Sequence, residues 1–261
     1  MAKDAKSAFC EDSRVKFPTL MHLMGMGFKY VSLKGLKTKY VEAPKTEFDP
    51  LTNILTDYFT DAYCTLNPKA EKKDAEDMLV KIQKSLQNDD LGRQFYNEIL
   101  LNTGERIIDL SSPVNFYKNN TFQVATEMTC GSKDSDNYRP DITIFVNGLP
   151  LAFIEVKKEN NHKGIQAETD RMKQRFVNPQ YRRFLNITQI MVFSNDMEYD
   201  NNEVTPTIGA FYATIGKKNT KYNCFREEGQ DSFPTARHIH QVTPEEEEVL
   251  LRDNNVPQYK N

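Results

Sequence analysis

The stretch "RPDITIFVNGLPLAFIEVKK", residues 139–158, constrains this chain more than any other. Two short apolar runs flank an Asn-Gly pair, which is the pattern of a β-hairpin. Side chains on a strand alternate between faces, so Asp141, Thr143 and Phe145 share one face while Ile142, Ile144 and Val146 share the other. On the return run Leu151, Phe153, Glu155 and Lys157 line one face, and all three charged residues fall on odd positions. A register whose residue numbers sum to 296 sets Asp141 opposite Glu155, whereas a strict two-residue turn pairs Asp141 with Ile154. The sequence therefore predicts either a three-residue loop, Asn147-Gly148-Leu149, or a bulge, with Gly148 available for positive φ.

Two carboxylates facing each other at roughly 5 Å repel unless positive charge sits between them. A hard divalent cation meets that need. Asp141 and Glu155, with a backbone carbonyl after Glu155 and water, make a candidate Mg²⁺ site, and Lys157 points to the same side, where it can act on a phosphate or on an attacking water. The bare spacing also fits a surface strand with a salt bridge. Pro140 before Asp141, the apolar strands and the basic segment that follows favour chemistry. Residues 157–183 hold eight basic side chains against three acidic ones, and Lys158, Lys163, Arg171, Lys173 and Arg175 are the candidate DNA contacts among them.

The whole chain carries a formal charge of −3, which argues against binding nucleic acid by bulk electrostatics and leaves that local patch as the route. Its 261 residues, with 16 Phe and 12 Tyr, suffice for a proper core. No apolar run approaches the roughly 18–20 residues of a membrane span, and the N-terminal residues lack an apolar signal segment, so a soluble cytoplasmic protein is expected. Cys10, Cys64, Cys130 and Cys224 are scattered without a CxxC pair, which speaks against a zinc ribbon or a disulfide framework. His238 and His240 read as loop residues.

Residues 1–50 show no sustained period and are read as an extension of unclear order. A helical stripe begins near Asp49 and Pro50 and ends before Pro68. Residues 70–104 supply two more helical segments, split near Asn88-Asp89-Asp90. Four β-rich runs follow ("ERIIDLSS", "TFQVATEMTC", "DITIFVNG", "LPLAFIEVKK"), then a helix over about 164–177 and a buried strand in "NITQIMVFSND". After Asp200 the chain reads mostly as loop, with a weak strand or helix at "PTIGAFYATIG" and a helix at "TPEEEEVLLRD" capped by Thr243. The order implies an α/β core around a mixed β-sheet flanked by helices.

These residues resemble the PD-D/ExK nucleases, and specifically the N-terminal nuclease domain of the motor (R) subunit of type I restriction enzymes. "YRPDITIFVNGLPLAFIEVKK" is similar to that family's Arg-Pro-Asp, apolar strand, Val-Asn-Gly-Leu-Pro-Leu and Ile-Glu-x-Lys pattern. "TLNP", "IIDLSSPVNFYKNNTFQVATE" and "IMVFSNDMEYD" resemble its flanking stretches, over about residues 50–230. The resemblance implies a restriction-endonuclease-like core over 50–230, a tail or linker toward a motor domain over 231–261, and metal-dependent cleavage of double-stranded DNA. It makes Asp141 and Glu155 the metal ligands and Lys157 the catalytic lysine. The family's Gln-x-x-x-Tyr motif has no full match; Gln166 with Asp170, or Gln174 with Asn178, are the options, and Gln166 is preferred because it lies early in its helix. Glu98 is the candidate for an additional acid from an early helix. The chain has no GxxxxGK[ST] loop, so ATP use is expected only through a motor domain outside it, and modification and specificity subunits are the implied partners. The competing reading is a catalytically idle DNA-binding or docking module of the same shape.

Overall fold

The computed structural model of the chain describes residues 12–35, 37–38, 41–42, 48–102, 104–131, 138–157, 164–194, 210–215, 220–224, 240–254 and 256. A π-helical turn at Asp12–Lys16 leads into α1 (Phe17–Gly25), followed by β1 (Lys29–Val31), β2 (Val41–Glu42), α2 (Thr56–Leu66), α3 (Lys72–Ser85) and a π-helical segment at Phe95–Leu100. Then come α4 (Pro113–Asn119), β3 (Phe122–Thr126), β4 (Ile142–Val146), β5 (Leu149–Val156), α5 (Gly164–Val177), α6 (Arg182–Ile187), β6 (Ile190–Ser194), β7 (Ala210–Ile215), β8 (Thr220–Cys224) and α7 (Pro244–Asp253). The strands form one mixed sheet in the order β2-β1-β3-β4-β5-β6-β7-β8. Its β5–β6 pair is parallel, which demands a crossover, and α5 and α6 supply it. Helices cover the sheet, as the sequence pattern implies. Among the described residues no helix is long and apolar enough to cross a membrane.

The two faces of the β4–β5 hairpin bury different layers. Ile142, Ile154 and Val156 pack with Leu20, Leu23 and Met24 of α1 and with Val249 and Leu250 of α7. Phe153 lies on the other face with Met172 of α5, Phe184 and Leu185 of α6, and Met191 and Phe193 of β6. At the turn end Val146 and Leu149 enter a third cluster with Ile54 just before α2, Phe59 of α2 and Ile82 of α3.

The turn settles the register. Asn147 and Gly148 have φ of 53° and 75°, so the connection is a tight two-residue turn, with Val146 paired to Leu149 and Phe145 to Pro150. Left unbroken, that register would face Asp141 with Ile154. A bulge between Ile144 and Phe145 shifts it by one residue, pairing Ile144 with Ala152, Thr143 with Phe153 and Ile142 with Ile154, and so bringing Asp141 level with Glu155. Of the two devices the sequence allowed, the fold uses the bulge. The turn is also docked: Leu55 N donates to Gly148 O (2.9 Å), and the fully buried Asn147 amide donates to Ile107 O (2.9 Å) and Asn120 Oδ1 (2.8 Å).

Several sequence expectations change. The helix expected from Asp49 starts only at Thr56, because the Asp49 carboxylate accepts from Leu51 N (3.0 Å) and Thr52 Oγ1 (2.8 Å), and Asn53 takes φ 57°. Ile54 and Leu55 are buried all the same. "ERIIDLSS" forms no strand, although Ile107 and Ile108 are buried, since Asp109 N donates to the side chain of Asn120 rather than to a ladder. The expected extension over 1–50 contains α1, β1 and β2: Tyr30 is 1% exposed, and β1 pairs in parallel with β3. Its described part belongs to the core. α7, within the expected tail, packs on α1 and shows the Thr243–Glu246 capping box, while His240 lies in the loop before it, as expected, and hydrogen-bonds the buried Glu246 (2.8 Å). His238, Cys10 and most of the loop expected after Asp200 lie outside the described residues.

Candidate functional site

Pro140 biases the chain toward an extended entry into β4. Asp141 stands just before that strand, with its backbone carbonyl accepting from Glu127 N (3.2 Å) and its carboxylate Oδ2 accepting from Val156 N (2.8 Å). The Asp141 carboxylate is thus fixed against the residue that follows Glu155. Glu155 is 5% exposed. Its Oε1 accepts from the Tyr138 hydroxyl (2.7 Å) and lies 3.8 Å from Arg175, while its Oε2 is 4.0 Å from the Lys157 ammonium. Burial pushes the Glu155 carboxyl up to about 8, and the charges of Asp141 and Glu168 push the same way, against the Tyr138 hydrogen bond and Lys157. Like charges crowded at a buried position favour a proton or a positive partner. Tyr138, fully enclosed, is held well above the ordinary phenol range by burial and then by Glu155, so its hydroxyl stays a donor.

Lys157 leaves β5 with its backbone N–H donating to Ser194 O of β6 (2.8 Å), and its ammonium donates to Val156 O (2.9 Å) and stands 3.4 Å from Glu168 Oε2. Asp141, Glu155 and Lys157 therefore converge at one end of the hairpin. Gln166 lies in the first turn of α5, and its side chain is outside the described residues, as are Lys158 and Lys163. Arg171 and Lys173 sit on the outer side of α5, pairing with Glu168 (3.0 Å) and Asp170 (3.1 Å). Arg175 turns inward instead, bonding Glu168 (2.9 Å) and lying 3.8 Å over the Tyr138 ring.

Glu98 is exposed and accepts from Gln94 on its own segment (2.8 Å). The upstream acid that comes beside Asp141 is Glu127, clamped by the buried Lys16 (2.6 Å) and by Arg139 (3.3 Å). Sequence reasoning missed Tyr138, Glu127 and Glu168. For Glu168 a signal existed: with Met172 and Arg175 it forms an i, i+4, i+7 stripe, so an acid sits in line with a core methionine.

Among the described residues no cluster of three or more His, Cys, Asp or Glu side chains is arranged to hold a metal. The residues that could hold one are Asp141 and Glu155, two carboxylates. That set fits Mg²⁺, which keeps most of its waters and takes one or two carboxylates plus substrate oxygens.

A model of the family described as type I restriction enzyme R protein N terminus matches residues 9–204, from the turn before α1 through β6. The chain belongs to that family. The restriction R-protein match begins far upstream of residue 50, in agreement with the packing of α1 and β1 into the sheet. The α/β arrangement of this R-protein N terminus is consistent with a restriction-endonuclease-like core. A search of curated proteins finds no match to the chain.

Proposed function

We propose that this chain is the DNA-cleaving part of a type I restriction R subunit, hydrolysing phosphodiesters of double-stranded DNA with a divalent metal ion, Mg²⁺ by ligand chemistry. The observation that carries the reading is the convergence of Asp141, Glu155 and Lys157, in which the bulge in the hairpin brings Asp141 level with Glu155. Asp141 and Glu155 would hold the ion, whose bound chemistry is Lewis-acid polarisation of a phosphoryl oxygen. Lys157 presents an ammonium beside Glu155, where it can stabilise charge developing on the phosphate and orient the incoming water. The Tyr138 hydroxyl and Arg175 fix the Glu155 carboxylate so that little reorganisation is needed at the moment of reaction. The exposed Arg171 and Lys173 form the DNA-facing side in this reading, and Lys158 and Lys163 are further candidate contacts by their place in the sequence. ATP-driven movement and sequence recognition belong to other parts of the complex, including modification and specificity subunits, in a cytoplasmic setting.

The test is cleavage by the assembled restriction complex carrying Asp141→Ala or Lys157→Ala in the R subunit. Loss of cleavage by on the order of 100-fold or more, with DNA binding retained, is expected. Unchanged cleavage would reject the assignment in favour of an idle docking module.

A further inference from the structure

Glu168 is completely buried on the inner face of α5, and no part of the metal reading requires it. A buried carboxylate is costly unless it is paired and hydrogen-bonded. Glu168 has three cationic partners: Arg175 on Oε1 at 2.9 Å, and Arg171 at 3.0 Å and Lys157 at 3.4 Å on Oε2. Arg175 continues from Glu168 to within 3.8 Å of Glu155, and Glu155 in turn lies 4.0 Å from Lys157. The four side chains therefore close a ring of alternating charge: Lys157, Glu168, Arg175, Glu155. Tyr138 braces it from beneath, through its hydroxyl on Glu155 and its ring under Arg175.

We infer that Glu168 is a positioning residue acting through Lys157: it holds the ammonium beside Glu155 at the hairpin end before DNA or metal arrives. The inference rests on the nuclease reading and deepens it. A lysine has four rotatable bonds and ordinarily carries its strongly hydrated head out to water. Here the Lys157 side chain is only 12% exposed, and its head is held by Val156 O on its own strand and by Glu168 Oε2 across from it. Glu168, coming from α5, ties the ammonium to a second element, and Arg171 and Arg175 fix Glu168 in turn.

The experiment is a double-mutant cycle in the full R subunit, assembled into its complex and assayed by single-turnover DNA cleavage at saturating Mg²⁺. Glu168→Gln should slow cleavage by about 10-fold or more, and the double variant Lys157→Ala/Glu168→Gln should be within about 2-fold of Lys157→Ala alone, because the two residues act as one unit. DNA binding and ATP hydrolysis by the complex should be unchanged, which a collapsed domain would not allow. Losses that multiply in the double variant, or native cleavage in Glu168→Gln, overturn the inference. If Glu168→Gln does not assemble, Glu168→Asp decides in its place, since it keeps the charge for the arginines and shortens the reach to Lys157; the same non-additivity is expected and its absence is equally fatal. Asp141→Ala separates the two levels. Intact cleavage in that variant overturns the nuclease reading and this role with it, whereas lost cleavage combined with multiplicative Lys157 and Glu168 effects overturns this role alone.

Discussion

The Tyr138 hydroxyl donates a 2.7 Å hydrogen bond to Oε1 of Glu155, both groups buried beneath Arg175. Tyr138 forms only an isolated bridge with Cys130, ahead of the strand that carries Asp141, yet its ring packs edge-on against Phe153, Tyr181 and Phe184. Tyr138→Phe keeps the ring and removes the hydroxyl. It should cost about 1–3 kcal/mol in urea unfolding, the usual penalty for leaving a buried polar group short of a partner. The same variant should weaken Mn²⁺ binding by titration calorimetry, since Glu155 loses the donor that favours its ionised form.

Removing charge at Asp141 should stabilise the metal-free protein. Asp141→Asn retains an oxygen for the Val156 N–H and relieves the repulsion felt by Glu155, so a gain of about 1 kcal/mol, or roughly 2–4 °C in thermal midpoint, is expected. Saturating Mg²⁺ or Mn²⁺ should raise the native protein's midpoint and leave that of the variant unmoved. A variant that melts lower than the native chain without metal would contradict the electrostatic account.

Gly148 is irreplaceable for two reasons that act together. Its φ is +75°, and a Cβ would stand 2.5 Å from Leu55 O and 2.8 Å from Phe59 N. Gly148→Ala should therefore destabilise the fold by about 2–4 kcal/mol in chemical denaturation. Because the turn sets the register that the bulge then corrects, the same change should lower cleavage even in the fraction that remains folded.

Asp109 should govern acid sensitivity at the far end of the hairpin. The Ser111 hydroxyl, the Asn119 amide and the Ser111 backbone N–H hold its carboxyl down at about 2. A carboxylate whose value is depressed by folding contributes stability that is complete above its unfolded value and is lost as pH falls through the folded one. Thermal midpoints should fall as pH drops from the ordinary carboxylate range toward 2, and Asp109→Asn should flatten that slope. An unaltered slope in the variant would place the acid sensitivity elsewhere.

Much of the architecture was legible along the chain because its signals are local. The Asn-Gly turn, the odd-position acids, the α5 period and the Thr243 cap are each read within a few residues, and each matches the structure. The helix expected at Asp49 failed for a reason of the same local kind, since an Asx turn and one left-handed residue overrode the apolar stripe. The first fifty residues hid their role because β1 and β2 are short and acquire meaning only when β1 lies beside β3, more than ninety residues along the chain.

By itself, then, the sequence determined that Glu155 and Lys157 share one face of their strand, since strand alternation is a property of the backbone, and that Asp141 joins them only through a three-residue loop or a bulge. Only the tertiary structure decided how the offset created by a two-residue turn is absorbed, and which polar groups close around Glu155: Tyr138, Arg175 and Glu168 arrive from a loop and a helix whose distance along the chain says nothing of their distance in space. A buried charge must find its partners wherever packing brings them. Those pairings follow from the whole fold and from no single stretch of it.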